Sequence, residues 1–205
     1  MTQNTSSAVM QQRSEPHNSL DDFPTPPWAT RALCERIGSK THLAQMTCRE
    51  PAANRGHMVR PLREYFKTVY ATDVFDYGAG FPQGDYLFEP QPEIDWTITN
   101  PPFRLAEKFI ARAFETSRFG VAMIVRSAFL ESVGRYNNLF SVFPPSTIMQ
   151  FSERVVMHKG KLSANGSTAT AYCWLVWDMA DDTDDTYFDW IRPCRKQLER
   201  PEDYE

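Results

Sequence analysis

Four consecutive residues, Asn100-Pro101-Pro102-Phe103, close the β-type run Asp95-Trp96-Thr97-Ile98-Thr99, and their types combine two hydrogen-bond acceptors with a flat apolar ring. The Asn100 side-chain oxygen and the Pro101 carbonyl can each accept from one hydrogen of an amine. Each proline locks its own φ and restricts the residue before it, so the carbonyl directions are fixed. Phe103 can stack on a planar substrate. An amine conjugated to a ring is a poor nucleophile because its lone pair is delocalised, and two acceptors on its hydrogens draw that pair out without a strong base. The set suits methyl transfer to a planar amine from a positively charged sulfonium donor, with neither metal nor covalent intermediate required. Read as structure alone, the same residues make a double-proline turn with a core phenylalanine.

A second group stands upstream, in Glu50-Pro51-Ala52-Ala53-Asn54-Arg55-Gly56-His57-Met58, between an expected strand and an expected helix. In an open α/β sheet that position lies at the carboxyl ends of the strands, where ligands bind. Small residues and Gly56 let backbone approach a ligand, and N–H groups at a helix start favour a carboxylate. Glu50 could accept from a ligand amine, and Asp73, closing the next expected strand, could bind a ribose diol. The competing reading is an ordinary strand-to-helix turn. Asn54 stands where a second glycine is expected, and asparagine is the residue other than glycine that best tolerates a left-handed backbone.

These residues need a frame that brings strand ends together. Residues 46–49, 69–74, 94–99 and 121–126 read as strands, and 29–37, 58–66, 106–116 and 128–140 as helices. Strands alternating with helices imply a parallel sheet covered on its faces. After Pro144-Pro145, residues 147–151, 154–158 and 170–177 read as strands with short connections, Gly160 and Asn165-Gly166 supplying turns. An antiparallel end is therefore expected. Residues 1–20 are polar and aperiodic and read as a disordered arm, 21–180 as one domain, and 181–205 as an acidic, polar tail.

Composition narrows the remaining classes. A chain of 205 residues suits one α/β domain, and hydrophobic content of 41% beside 23% charged residues is that of a globular protein. The sequence has neither a membrane-length apolar run nor a basic-then-apolar leader, so no membrane partner and a cytoplasmic location are expected. Cys34, Cys48, Cys173 and Cys194 lack the paired spacing of a zinc site, and Asp181, Asp182, Asp184 and Asp185 read as a solvated loop, so no metal is expected. A net charge of −4 argues against a surface that grips nucleic acid everywhere, and leaves room for a local basic cleft. Arg154, His158, Lys159 and Lys161, with Trp174 and Trp177 near in sequence, suit phosphate contacts around an extruded base. Their plain alternatives are a solvated basic turn and core tryptophans, and His57 reads as helix surface.

From about Phe23 to Asp178 the chain resembles the amino-methylating branch of the class I methyltransferases, and more narrowly the small adenine-specific (N6) DNA methyltransferases of phages and prophages. Phe23-Pro24-Thr25-Pro26-Pro27-Trp28 is similar to that family's first cofactor motif, with Thr25 at the position that contacts the methionine carboxylate and Trp28 beside it. Glu50, Pro51, Ala52, Asn54 and Gly56 match its glycine loop, Asp73 its ribose-binding acid, Asp85 the acid near the cofactor adenine, and Asn100 to Phe103 its catalytic tetrad, of which Asn100 is expected to touch the cofactor as well. The resemblance implies a doubly wound, Rossmann-like methyltransferase fold, S-adenosylmethionine as cofactor, and methyl transfer to the exocyclic amine of adenine in DNA. The tetrad is shared with enzymes that methylate RNA bases or protein glutamine, and these stand as alternatives beside a catalytically silent phage-encoded binding protein. No separate recognition domain is expected after Trp177. Specificity is then low, built from residues 130–149, or supplied by a homodimer mate or a host or phage protein partner.

Overall fold

The computed structural model describes residues 21–180 and 185–205. The arm expected over residues 1–20, and Asp181, Asp182 and Asp184 of the acidic run, lie outside the described residues. In chain order the elements are α1 (Pro27–Ile37), α2 (Lys40–Leu43), β1 (Thr47–Glu50), α3 (Val59–Tyr65), β2 (Thr68–Ala71), β3 (Ile94–Thr99) and α4 (Ala106–Thr116). Then follow β4 (Ser117–Arg126), α5 (Val133–Arg135), β5 (Thr147–Phe151), β6 (Tyr172–Asp178), β7 (Tyr187–Ile191) and α6 (Arg195–Leu198).

The strands form one seven-stranded sheet ordered β2-β1-β3-β4-β6-β5-β7. Pairs β1/β2, β1/β3 and β3/β4 are parallel; β6 runs antiparallel to both β4 and β5, and β7 is parallel to β5. The expected mainly parallel sheet with antiparallel pairing toward its C-terminal half is thus observed.

Alternation along the central strands sorts side chains to two faces. Ala122 and Ile124 of β4, with Tyr172, Trp174 and Val176 of β6, face a cluster that includes Trp28 and Leu33 of α1 and Leu62 of α3. Val121, Met123 and Val125, with Cys173, Leu175 and Trp177, face Phe109, Ile110 and Ala113 of α4. Helices therefore cover both faces, and the stretches of β4 and β6 buried between them, Val121 to Val125 and Tyr172 to Trp177, are apolar. Helix α1 opens with Pro27 in its first turn, where the missing N–H removes nothing. Helix α4 buries Ala106, Phe109, Ile110 and Ala113, the spacing of one helical face.

Three expected segments differ. The helix expected over 128–140 is broken into a 3-10 turn (Ser127–Leu130), α5 and a π turn (Tyr136–Phe140). Ser132, extended at φ −168 and ψ 128, starts a new helix by accepting from the Arg135 N–H. Residues 154–158 form no strand: Val155, Val156 and Met157 are buried, but only His158 makes a bridge, to Lys161. An apolar run can be buried without entering a ladder, and here Glu153 turns away to accept from the Cys194 and Arg195 N–H groups. The stretch expected as a polar tail contributes β7 to the sheet and carries Asp203 into a buried pairing with Arg31. No helix among the described residues is long and apolar enough to cross a membrane.

Candidate active site

The carboxyl ends of β1, β2 and β3 open onto a cavity of about 460 Å³. Its walls are four loops: 21–25 leading into α1, 51–58 after β1, 73–77 and 84–88 after β2, and the turn after β3 that carries Asn100 and Pro102 into the start of α4.

The loop after β1 is held by backbone hydrogen bonds within itself and to the residue that follows β2. The Gly56 N–H donates to the Ala53 carbonyl at 2.7 Å and the Ala53 N–H to the Thr72 carbonyl at 3.0 Å. Among the described residues Asn54 is the one non-glycine residue with positive φ, at 49°, and Gly56 follows at 83°. A Cβ on Gly56 would meet the Phe81 ring at 2.8 Å, so this glycine serves both conformation and packing. It does not itself line the cavity.

Glu50 lies fully buried behind that wall. Its Oε1 accepts from the Ala52 N–H at 2.9 Å and from the Thr99 hydroxyl at 2.5 Å, tying the end of β1 to the end of β3. Burial pushes its carboxyl up to about 8, against the lowering by those two donors. Among the described residues its Oε2 has no partner, and neither does the buried hydroxyl of Thr25, a residue on the cavity wall.

Asp73 and Asp85 both line the cavity. Asp73 is nearly buried and its two oxygens accept from the Asn54 and Phe75 N–H groups at 2.8 and 2.9 Å. Burial raises its pKa. Asp85 accepts from the Leu87 N–H at 3.0 Å. Each carboxylate keeps lone pairs for further donors, since a carboxylate offers about four acceptor sites.

At the tetrad, the Asn100 amide donates through Nδ2 to the Phe23 carbonyl at 2.9 Å and to Met157 Sδ at 3.8 Å. Its Oδ1 has no donor among the described residues, and Asn100 lines the cavity. Pro102 also lines it, its carbonyl capping the start of α4 by accepting from the Leu105 N–H at 2.8 Å. Pro101 is buried. Phe103 is half-buried and lies outside the cavity lining. Its ring is tilted against Phe23 at 5.5 Å, and the Arg126 guanidinium sits 4.0 Å from the ring centroid. A planar cation thus occupies ground on which a flat substrate would stack.

Other sequence expectations fall elsewhere. Trp28, expected at the cofactor, is 1% exposed and packs edge-on to Phe151 in the core, because α1 turns it toward the sheet. Trp174 and Trp177 are also core residues, their indole N–H groups donating to the Ala29 and Phe143 carbonyls. Arg154, Lys159 and Lys161 are exposed on the 152–170 segment and do not line the cavity. His57, expected on a helix surface, lines the cavity; burial, then Arg60 and Arg55, push it down to about 4, so it is neutral near pH 7. Sequence reasoning missed Asp21, Phe75, Tyr77, Phe88, Arg104 and Lys108, all on the wall. The signals were present: an aromatic pair just beyond Asp73, and two basic residues one helical turn apart behind the tetrad.

No family model matches the chain, and no curated protein matches its sequence. Solved structures do match. A Listeria monocytogenes protein assigned to the class I S-adenosylmethionine-dependent methyltransferases superposes with a TM-score of 0.64 at 12% identity, over 91% of this chain and 70% of that one. A Pyrococcus horikoshii protein assigned as an RNA methyltransferase gives 0.59 at 17% identity, over 83% and 95%. The M protein of the type I restriction enzyme EcoKI gives 0.58 at 14%, over 82% of this chain and 48% of that longer one. The seven-stranded sheet, its one reversed strand and the loops at its carboxyl edge are therefore the Rossmann-like fold found in these methyltransferases.

Proposed function

We propose that this protein binds S-adenosylmethionine and transfers its methyl group to the exocyclic amine of adenine in DNA. The observation that carries the proposal is the Asn100 amide: its Nδ2 is spent on the Phe23 carbonyl, so Oδ1 is presented to a cavity large enough for a nucleoside cofactor.

The residues present fit that cofactor. Thr25 Oγ1, buried and unpartnered on the wall, suits the amino-acid end of the ligand, and Asp73 the ribose diol. Asp85, Leu87 and Phe88 offer an acceptor and apolar surface for the adenine ring. Three carboxylates, Asp21, Asp73 and Asp85, line the interior, a field that favours a cationic ligand. When bound, S-adenosylmethionine supplies a methyl group on a positively charged sulfur. Asn100 Oδ1 and the Pro101 carbonyl accept from the two hydrogens of the target amine and turn its lone pair toward the cavity. Phe103 takes up the flipped base once Arg126 swings aside, and Pro102 holds the turn rigid between them.

DNA is supported by the wider resemblance, from about Phe23 to Asp178, to small adenine-specific DNA methyltransferases and by the likeness to restriction-enzyme subunits. Exposed Arg104 and Lys108 at the cavity edge add positive charge for a phosphate backbone. The test is the Asn100→Ala variant. Its methyl transfer to DNA should fall on the order of 100-fold, as for loss of one polarising group in a site of this kind, while S-adenosylmethionine affinity stays near parental. Full activity in that variant would remove Asn100 from the chemistry, and cofactor binding by the parent without turnover on DNA, RNA or protein would make it a silent binding protein.

A further inference from the structure

Asn54 occupies a left-handed position that glycine would take at lower conformational cost, by about 1 kcal/mol. Both ends of its side chain are used. Nδ2 donates to Asp22 Oδ1 at 2.8 Å, and Oδ1 accepts from the Arg55 N–H at 2.7 Å. Asp22, itself nearly buried, also takes the Arg55 guanidinium at 2.8 Å.

Asp22 belongs to the segment that holds the tetrad. On one side of it the Asp21 carboxylate accepts from the Phe103 N–H at 2.9 Å, and on the other the Phe23 carbonyl accepts from Asn100 Nδ2 at 2.9 Å. The Asp22 carbonyl in turn accepts from the Gly160 N–H at 2.8 Å. Residues 21–23 therefore bridge three loops, and their side-chain tie to the loop after β1 is Asp22 on Asn54 and Arg55. An amide has two faces that differ only in which atom donates, so Asn100 presents its acceptor to the cavity only while the Phe23 carbonyl stays in place.

We propose that Asp22 and Asn54 are positioning residues for Asn100: their contact fastens residues 21–23 to the loop after β1 and so holds the Phe23 carbonyl that orients the Asn100 amide. The inference rests on the methyl-transfer reading for its catalytic consequence. It makes Asn54 a working part of the site in place of a lost glycine, and it couples the cofactor loop to the acceptor that polarises the substrate amine.

The test exchanges donor and acceptor. Asn54→Asp sets two carboxylates against each other, whereas the double variant Asp22→Asn with Asn54→Asp restores one donor facing one acceptor and leaves Arg55 a carboxylate partner. For the parent, Asn54→Gly, Asn54→Asp and the double variant, we would measure kcat and KM on DNA, melting temperature, and hydrogen exchange of the Phe103 and Gly160 amides. Expected is a kcat lowered on the order of tenfold in both single variants, with KM for DNA little changed. The double variant should return to within about threefold of the parent. Exchange at Phe103 and Gly160 should quicken in Asn54→Asp and slow again in the double variant. Parental kcat and amide protection in Asn54→Asp would overturn the proposal, as would a double variant that melts like the parent yet recovers neither. Amide exchange needs no turnover, so a parent inactive on DNA would sink the substrate reading while the fastening is still judged.

Discussion

At the residue scale the site is built from polar atoms whose partners are divided between protein and cavity. Asn100 has one end fixed and one end presented, and Asp73 has both oxygens engaged with lone pairs to spare. Glu50 is the unusual member, since its carboxyl is wholly buried with one oxygen unpartnered and is pushed up to about 8. Folded protein then keeps a proton that the unfolded chain, near 4.5, gives up. The stability tied to this group is fully present below about pH 4.5 and is lost as pH rises toward 8. His57, pushed down to about 4, contributes a slope of opposite sign between 4 and 6.5, so the comparison must be a difference between proteins. Melting temperatures of the parent and Glu50→Gln should diverge in the variant's favour from pH 5 to pH 8; parallel curves would show that Glu50 ionises freely in the fold. Much of this scale was legible in sequence, because Asn100, Pro102, Asp73, Asp85, Thr25 and Asn54 do stand on the cavity wall. Trp28 was not, since the face that a helix turns inward depends on the sheet it packs against.

At the element scale, strand β4 shows where reading from sequence stops. Residues 121–126 carry the apolar signal, yet the strand begins at Ser117, because Gly120 breaks the pattern while remaining in the ladder opposite Trp96. A Cβ on Gly120 would meet the Trp96 ring at 2.4 Å, so the glycine is required by its neighbour across the sheet. Gly120→Ala should destabilise the protein by about 1–3 kcal/mol through overpacking, measured by denaturant unfolding. Unchanged stability would mean that the Trp96 ring moves freely. Strand β3 and helix α4 match their expected bounds because their period is uniform from end to end. Residues 154–158 and 128–140 failed for the opposite reason: burial without pairing, and a serine cap inside an otherwise helical text, are decided by tertiary partners. Strand β7 was missed in acidic surroundings, although Tyr187, Phe188, Trp190 and Ile191 are β-formers.

At the scale of the whole molecule, the C-terminal stretch is a fastening of the fold. Arg31, 3% exposed in α1, takes the Asp203 carboxylate at 2.7 and 2.8 Å and Glu64 of α3 on its other edge, and its Nη1 also donates to the Leu198 carbonyl. Removing one partner of a buried pair leaves charge uncompensated. Asp203→Ala should therefore cost about 3 kcal/mol, read as a lowered unfolding midpoint, and a neutral outcome would mean that Glu64 alone satisfies the guanidinium. Residues 21–25, the loop after β1 and the turn after β3 meet over one cavity, where the proposed transfer would join cofactor and substrate. The most direct measurement is incubation of the protein with isotopically labelled S-adenosylmethionine and adenine-containing DNA, followed by digestion to nucleosides and mass spectrometry. Label on the exocyclic nitrogen of deoxyadenosine, lowered on the order of 100-fold with Asn100→Ala, is the result this account predicts; unlabelled adenine, or label found only in RNA or protein, would contradict it.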